Sequence, residues 1–256
     1  MATLVRHRAA WVAIGLVLIV LYLPLIPPLF FSFAPEAAGG GATLRWYREM
    51  WLNPLLTGAI WTSLAAGIIV AIVTPLLALA AAMAIRELKA ARLILLVMLL
   101  PLFIPGISMG LATAFLFRVV GIEPSLLTIA IVQILWALPF ATLVVLTAMS
   151  TFDPVYLEAA YMSGANRWRA FCDVELPLIW SGVTGAATFS MILSFNETIR
   201  TSAVQGPLNT VQTYIWSTYK QVGLSPTLYA LMTLLLLLTL LLVGILLVSR
   251  RTKRGG

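Results

Sequence analysis

The sequence contains few of the residues that carry out covalent chemistry. Its only histidine, His7, lies in a basic N-terminal tail. Its only cysteine, Cys172, can form neither an intrachain disulfide nor a cysteine metal cluster. The apolar stretches hold no cluster of His, Asp and Glu and no nucleophile beside a base, and no Gly-Lys-Ser/Thr phosphate loop occurs. We therefore expect the chain to be neither an enzyme nor a nucleotide-binding protein.

Two polar residues follow directly after a long apolar run. Asn196 and Glu197 stand at the end of TGAATFSMILSF, and polar groups beside such runs are costly unless they face a cavity or a partner. A carboxylate in this place suits a solute that carries ammonium groups. The competing interpretation is an ion pair between Glu197 and Arg200, three residues further on. We predict that Asn196 and Glu197 lie on a solute path.

Three further side chains are candidates for solute contact. Gln133 is a polar residue within an apolar run, where a hydrogen bond between helices is the competing explanation. Trp136 and Tyr214 offer aromatic faces that attract cations, although aromatic residues are also common at membrane interfaces. We predict that these three residues also line the path.

A polar segment, LEAAYMSGANRWRAFCDVELP at 157–177, interrupts the apolar sequence. Asp153 followed by Pro154 is typical of a helix start, because Asp caps free backbone N–H groups and Pro fits the first turn. The pattern predicts a short helix from Pro154 to about Ser163. Gly164 then suits the left-handed residue that ends a helix.

The second half of this segment predicts another short helix. Asn166 can cap it, and Trp168 and Phe171 would lie on one of its faces. Pro177 then marks the entry into the next apolar run. The predicted product is a helix, a turn and a helix on the membrane surface. Its apolar side chains need a partner, either the chain's own helix ends or another protein.

The rest of the chain predicts membrane helices. Of 256 residues, 61% are hydrophobic and 10% are charged, which is too apolar for a soluble domain of this size. Six apolar runs are long enough to cross a bilayer, which takes about 20 helical residues. They cover 9–33, 56–84, 92–117, 126–149, 178–196 and 226–249. We predict an all-α integral membrane protein with one transmembrane domain over 1–256.

The basic residues lie in short clusters at the ends of these runs, which argues against nucleic-acid binding despite a formal net charge of +7. Eleven of the 16 Lys and Arg fall on one side, and the more basic side faces the cytoplasm. These eleven are Arg6, Arg8, Arg86, Lys89, Arg92, Arg167, Arg169, Arg250, Arg251, Lys253 and Arg254. Both termini and the polar segment are therefore predicted to be cytoplasmic.

The polar segment resembles the EAA loop of ABC importer permeases. That pattern consists of Glu-Ala-Ala, three residues, Gly, nine residues and then Ile-x-Leu-Pro. The chain reads Glu158-Ala159-Ala160, then Gly164, then Val174-Glu175-Leu176-Pro177, with Val in place of Ile. The loop, about 150–177, is thus similar to the family pattern at its full spacing.

The resemblance extends over most of the chain. LPLFIPGISMGLA at 100–112 is similar to the Pro-x-x-x-Pro-Gly segment of the third helix of these permeases, and IWTSLAAG at 60–67 is similar to the start of the second. SFNETIRTSAVQGP and YKQVGLSPTLYALMTLLLL resemble the spermidine/putrescine-type branch, and its second permease subunit in particular.

This resemblance implies a type I importer permease fold, with six transmembrane helices and a cytoplasmic coupling helix, in a bacterial inner membrane. The implied partners are a second permease subunit, two ATPase subunits and an extracytoplasmic substrate-binding protein. ATP and magnesium would bind the ATPases, so this chain would hold no cofactor. The implied cargo is a polyamine such as spermidine or putrescine. The residues implied to couple the chain to the ATPase are Glu158, Ala159, Ala160, Gly164, Trp168 and Phe171.

Three alternatives compete with this interpretation. The same architecture serves other cargo, such as sulfate or thiosulfate, ferric iron or phosphonate. A secondary transporter or channel would show charge pairs within the membrane or an internal repeat, and neither is evident. A membrane-embedded enzyme would need catalytic residues that the apolar runs do not contain.

Overall fold

The computed structural model describes residues 2–35, 40–88 and 91–251, and every α-helix or turn of helix named below lies in these ranges. Lys89, Lys253 and Arg254 of the charge count, and both chain ends, lie outside the described residues. The orientation of the termini therefore stays a prediction.

Thirteen α-helices occur in the described residues. In chain order they are α1 Ala2–Tyr22, α2 Ile26–Phe31, α3 Arg45–Leu52, α4 Pro54–Glu87, α5 Ala91–Leu99, α6 Gly106–Val120, α7 Leu126–Ser150, α8 Val155–Met162, α9 Arg167–Ala170, α10 Leu176–Phe195, α11 Ile199–Val204, α12 Val211–Val222 and α13 Pro226–Arg251.

The six predicted membrane runs correspond to six spans. Five are helices long and apolar enough to cross a bilayer: Trp11–Phe31, Pro54–Glu87, Leu126–Ser150, Arg167–Phe195 and Pro226–Gly244. The sixth is the pair Ala91–Phe103 and Gly106–Val120, which passes the same test when it is taken as one span. The all-α membrane fold is confirmed.

The third run is broken, whereas the sequence predicted one uninterrupted apolar run over 92–117. Its two halves bend by 103° at the break. Ile104 has an extended backbone, with φ −85° and ψ 127°, because the ring of Pro105 disfavours the helical conformation in the residue before it. Pro105 also has no N–H to donate. The helix therefore restarts at Gly106.

Prolines also interrupt the first run. A 3₁₀ turn at Leu23–Leu25 separates α1 from α2, and the helix then continues to Phe31. Pro24, Pro27 and Pro28 thus interrupt the helix rather than end it, because proline removes a backbone donor yet fits the first turn of a new helix.

The fifth span begins earlier than the sequence predicted. α9, the π-helical turn Phe171–Glu175 and α10 follow one another without a break, so the span reaches from Arg167 to Phe195. The second short helix predicted on the membrane surface is therefore continuous with the fifth membrane helix instead of being separate from it. Pro177 lies in the first turn of α10, and the preceding turn is widened so that the N–H of Leu176 reaches the carbonyl of Phe171.

The chain forms two compact units. The first combines 1–54 with 219–238. Inside it, Trp46 donates its indole N–H to the carbonyl of Ala34 at 2.7 Å, and the Tyr47 hydroxyl donates to Ser32 Oγ at 2.9 Å. The ring of Phe31 lies 5.4 Å from that of Tyr229. These contacts hold α3 against the end of α2.

The second unit combines 55–218 with 239–256. One of its buried clusters, called here the α4–α7–α10 core, consists of Ala78, Leu79, Ala82, Ala141, Val145, Met149, Ile179, Val183 and Ala186. Gly182 brings α10 close to α7: a Cβ built there would lie 2.1 Å from the Cβ of Ala148. A small residue thus lets these two helices pack closely at this position. Phe152, Phe171 and Leu176, which flank the segment described next, pack against this core.

Candidate functional site

The start of α8 is fixed by Asp153. Its Oδ1 accepts a hydrogen bond from the backbone N–H of Val155 at 3.0 Å, and its carbonyl accepts one from Tyr156 at 3.2 Å. Pro154 stands between the cap and the helix, where a missing N–H costs nothing. The predicted helix is confirmed. It runs from Val155 to Met162, one residue shorter at each end than predicted.

The end of α8 is fixed by Gly164. Its φ of +86° is left-handed, and its N–H bonds the carbonyl of Tyr161 at 3.0 Å. The N–H of Ala165 bonds the carbonyl of Ala160, also at 3.0 Å. This pair of bonds is the Schellman arrangement, which satisfies the last free carbonyls of a helix. The left-handed glycine predicted from the sequence is confirmed.

Side chains on and beside α8 are exposed. Met162 is 90% exposed and Trp168 is 72% exposed, although both are large and apolar. Glu158 and Ala159 are exposed, whereas Ala160 is half-buried. Glu158 lies in the first turn, where its negative charge interacts favourably with the helix dipole. A helix capped at both ends thus presents an apolar and partly acidic surface that the described chain leaves uncovered.

Trp168 and Phe171 differ in what they contact. Their ring centroids lie 6.0 Å apart. Phe171 is partly buried and packs against the α4–α7–α10 core, as does Phe152. Trp168 therefore belongs to the exposed surface, and Phe171 anchors the segment to the chain's own helices. Asn166 caps α9 as predicted, because its Oδ1 accepts the N–H of Arg169 at 2.9 Å.

Arg86 and Glu175 form an ion pair at the widened turn that α8 contacts. The sequence did not predict this pair. Arg86, in the last turn of α4, donates Nη1 to Oε1 of Glu175 and Nη2 to Oε2 at 3.3 Å. Glu175 is 1% exposed. It is the variable residue of Val-Glu-Leu-Pro, so the pattern gives no signal for its role. The sequence offers one signal for its role: Glu175 stands next to an apolar run, and a carboxylate that becomes buried needs a partner.

At the other end of α10, Glu197 forms a buried pair with Arg200. Arg200 donates Nη1 to Oε2 of Glu197 at 2.8 Å and its backbone N–H to Oε1 at 2.7 Å. The side chains are 9% and 5% exposed, for Arg200 and Glu197 respectively. Glu197 therefore both caps α11 and neutralises Arg200. This is the ion pair that the sequence analysis named as the competing interpretation, and solute contact by Glu197 stays a prediction.

Trp136 covers the same guanidinium group. The Cζ of Arg200 lies 3.8 Å from the ring centroid of Trp136, within the range of a cation–π interaction. A Cβ built at Gly106 would lie 3.2 Å from that Cζ, so the restarted end of α6 also closes on it. Among the described residues, Nε of Arg200 has no hydrogen-bond partner. The aromatic face predicted for a solute cation thus holds a cation of the chain itself.

Gln133 links three elements. It is 1% exposed, accepts a hydrogen bond from Ser194 at 2.6 Å and donates one to Thr201 at 3.0 Å. These bonds connect α7 with α10 and α11. The interhelical hydrogen bond named as the competing explanation is therefore present. Its contact with solute stays a prediction.

Asn196 and Tyr214 differ from the other candidates. Asn196 is exposed, and its amide donates to the carbonyl of Ile192 at 2.8 Å. Tyr214 is half-buried on α12, a helix that the sequence analysis did not predict. Glu197 and Trp136 contact Arg200, and Gln133 bonds Ser194 and Thr201. The backbone N–H of Glu197 donates to the carbonyl of Ser194 at 3.2 Å and so links the two groups into one network. Among the described residues, no group of three His, Cys, Asp or Glu is placed to hold a metal ion.

The fold and these two regions define a multi-pass membrane component of a transport system. The family described as "Binding-protein-dependent transport system inner membrane component" matches residues 75–254, and the chain belongs to this family. It is therefore an inner-membrane permease subunit and not itself a catalyst.

Several similar curated proteins are permeases of spermidine/putrescine or putrescine transport systems. The spermidine/putrescine transport system permease protein PotC of Shigella flexneri is 28% identical over 243 residues, which cover 92% of each chain. PotC of Escherichia coli K12 is 27% identical over 87% of this chain and 86% of its own length. The putrescine transport system permease protein PotI of the same strain is 24% identical, over 84% and 81%. The resemblance to the spermidine/putrescine type is confirmed.

Solved structures share the fold. A chain of a bacterial ABC transporter involved in the import of the acidic polysaccharide alginate matches with a TM-score of 0.74 and 14% identity, over 96% of each chain. A chain of a bacterial alginate ABC transporter, in complex with its alginate pentasaccharide-bound periplasmic protein, matches with a TM-score of 0.66 and 17% identity, over 98% and 96%. At these identities the likeness concerns the fold alone.

Proposed function

We propose that this chain is the membrane subunit of an ATP-driven polyamine importer. It pairs with a second permease, two cytoplasmic ATPases and an extracytoplasmic binding protein. The single observation that carries the coupling part of this proposal is α8, a helix capped at both ends that presents Met162 and Trp168 to the outside. Apolar surface of this kind favours burial against a partner protein.

The caps give α8 the stiffness that coupling needs. A helix held by Asp153 at one end and Gly164 at the other moves as one body when its partner moves. In the proposed mechanism α8 sits in a groove of an ATPase, and Ala159 and Ala160 allow close approach. Glu158 is available to a basic or hydroxyl group of that groove. Closure of the ATPases on ATP then displaces α8 and tilts the membrane helices to face outward.

ATP and magnesium belong to the ATPases in this proposal. The chain has no phosphate-loop motif, so hydrolysis takes place on a separate subunit. The excess of Lys and Arg on one side supports cytoplasmic placement of α8 and of both termini.

The polyamine cargo rests on the relatives' names and on the chemistry near Arg200. The relatives are permeases of spermidine and putrescine systems. Trp136 and Glu197 already hold one organic cation, the guanidinium of Arg200, with the two kinds of contact that an ammonium group also favours. We therefore place the solute path past this network, with Asn196, Gln133 and Tyr214 beside it.

A second cargo class is favoured by a different feature of the same network. The pair of Glu197 and Arg200 has no net charge, so it does not attract a cation over long range. Without a net negative charge here, a permease of this architecture also suits an anion such as sulfate, thiosulfate or phosphonate. The two candidates share the coupling mechanism and differ only in cargo.

Reconstitution tests the proposal. The chain, its partner permease and the ATPases are placed in liposomes with the binding protein outside, and uptake of labelled putrescine, spermidine and sulfate is measured with and without ATP inside. We expect ATP-dependent uptake of a polyamine. Uptake of sulfate without uptake of a polyamine would show that the cargo is the anion. The absence of any ATP-dependent uptake would contradict the proposal. A complex with Glu158→Lys, which reverses the charge on α8, is measured in parallel and is expected to lose uptake.

A further inference from the structure

Glu175 is buried at the point where the coupling segment enters the membrane span. It is 1% exposed, within the widened turn Phe171–Glu175. Arg86 reaches it from the last turn of α4 with both terminal nitrogens of the guanidinium group. The Arg86 side chain is 36% exposed, so it extends from the surface to a buried partner. A bidentate ion pair thus joins the end of α4 to the widened turn.

An ion pair in this position is expected to contribute little to the stability of the fold. Desolvation offsets much of the attraction of a buried pair, and an apolar side chain of similar volume often serves as well. The forked geometry does fix the orientation of both partners, because two parallel N–H···O bonds allow only one arrangement. Positioning is therefore the role that the geometry favours.

The elements joined are the ones that matter for coupling. α8 lies against the widened turn, and Phe171 and Leu176 pack on the α4–α7–α10 core. α4 has 34 residues, about 51 Å of helix at the usual rise, which exceeds the thickness of the hydrocarbon core. A displacement of α8 therefore reaches the widened turn first, and Arg86 connects this turn to the end of a helix that crosses the whole membrane.

We propose that Arg86 and Glu175 form the positioning link that carries movement of α8 to α4. This inference rests on the proposed function, and it assigns coupling to a residue pair outside Glu158-Ala159-Ala160 and Gly164. Without the link, α8 still docks and the ATPases still turn over. Closure of the ATPases then moves the membrane helices less completely, so more ATP is hydrolysed for each solute molecule transported.

The first test measures the ratio of putrescine transported to ATP hydrolysed in the reconstituted complex. Glu175→Gln keeps the size of the side chain and removes its charge, and it leaves a half-exposed Arg86 that water can solvate. We expect this ratio to fall about twofold to thirtyfold, the range found for changes within coupling networks. The amount of ATPase that copurifies is expected to stay unchanged. The exchanged variant Arg86→Glu with Glu175→Arg is expected to recover part of the ratio.

Glu87 provides the matched control. Its carboxylate lies 3.8 Å from Nη2 of Arg86, but its side chain is 60% exposed. Glu87→Gln removes the same charge next to the same arginine without breaking the link, so its ratio is expected to equal that of the wild type. An unchanged ratio in Glu175→Gln would overturn the inference, as would an equal loss in Glu87→Gln. A loss of uptake that only follows a loss of assembled complex would assign the pair a structural role and also overturn it.

A second test is independent of the cargo. Spin labels are attached at Val155 at the start of α8, which is 60% exposed, and at Glu87 on α4. In the complete complex, the distance between the labels is measured by pulsed electron resonance with and without a non-hydrolysable ATP analogue. We expect one distance in both states of the wild type and a nucleotide-dependent change in Glu175→Gln. The same behaviour in both proteins would overturn the link. If the wild type holds this distance, Glu175→Gln changes it and the wild type takes up no putrescine, the result would contradict the cargo and support the link.

Discussion

Oε2 of Glu197 lies 2.8 Å from Nη1 of Arg200, and the ring of Trp136 lies over the same guanidinium group at 3.8 Å. The corner between α10 and α11 is therefore held by a buried pair and an aromatic ring, all from one chain. The sequence marks the carboxylate of Glu197 as a candidate site for a solute cation, but in the structure it is already paired with the guanidinium group of Arg200. The two roles predict different behaviour when the charges are removed one at a time.

Glu197→Gln is expected to destabilise the protein because it leaves the buried guanidinium of Arg200 without a counterion. The cost of breaking a buried pair in this way is about 3–5 kcal/mol. Arg200→Gln leaves the buried carboxylate of Glu197 without a counterion and is expected to lower the free energy of unfolding by a similar amount. The double variant removes both charges and is expected to recover most of the thermal stability in detergent and most of the uptake.

Uptake by the double variant separates the two roles. Stability that recovers while uptake stays lost would assign Glu197 to the solute and contradict the purely structural pairing. Asn196 offers a matched control, because Asn196→Ala alters an exposed neighbour and leaves the pair intact.

Gln133→Leu is expected to lower stability by leaving two buried hydroxyl groups, Ser194 and Thr201, without their partner. Each unsatisfied group costs about 1–3 kcal/mol. The measurement is the midpoint of thermal unfolding in detergent. Gln221→Ala, at an exposed position of α12, is the control and is expected to leave the midpoint unchanged. Equal midpoints for Gln133→Leu and the wild type would show that these bonds contribute nothing.

Gly182→Ala tests the close contact between α7 and α10. The added methyl group would lie 2.1 Å from the Cβ of Ala148, so one helix has to move, at an overpacking cost of about 1–3 kcal/mol. Gly58→Ala in α4 meets nothing within 4 Å and should stabilise its helix by about 1 kcal/mol through propensity. Opposite shifts of the two unfolding midpoints are expected. A neutral Gly182→Ala would mean that the helices lie further apart.

Local features were predictable from the sequence because they depend on neighbouring residues. The caps of α8 and α9 and the left-handed Gly164 follow from residue types within a few positions of each other. The same local logic accounts for the break at Pro105, since Ile104 and Pro105 stand side by side. We predicted 92–117 as one run because its length and apolarity are those of a membrane span, and Pro105 was given too little weight.

Long-range partners were not predictable in this way. Arg86 and Glu175 are 89 positions apart, and Gln133 finds Ser194 and Thr201 at separations of 61 and 68. Neither the polarity nor the spacing of one residue indicates which distant residue it will meet. Only the packing of α4, α7 and α10 brings these groups together. The sequence therefore indicated that Glu197 and Gln133 need partners, but it did not identify which partner each one has.

Gly164→Val is expected to uncouple the permease from its ATPase. A Cβ at this position meets nothing within 4 Å, so the effect comes from the backbone alone: φ of +86° is strained for a β-branched residue by about 1–3 kcal/mol. The end of α8 should then fray and lose the bonds from Gly164 and Ala165 to its last carbonyls. Gly164→Asn is the matched control, because Asn tolerates the left-handed conformation better than other residues with a side chain. Copurified ATPase and uptake are measured together for both variants. We expect Gly164→Val to lose at least one of them and Gly164→Asn to stay close to the wild type. If both variants equal the wild type, the shape of this turn has no part in coupling, whereas equal loss in both would mean that any side chain at 164 blocks contact with the ATPase.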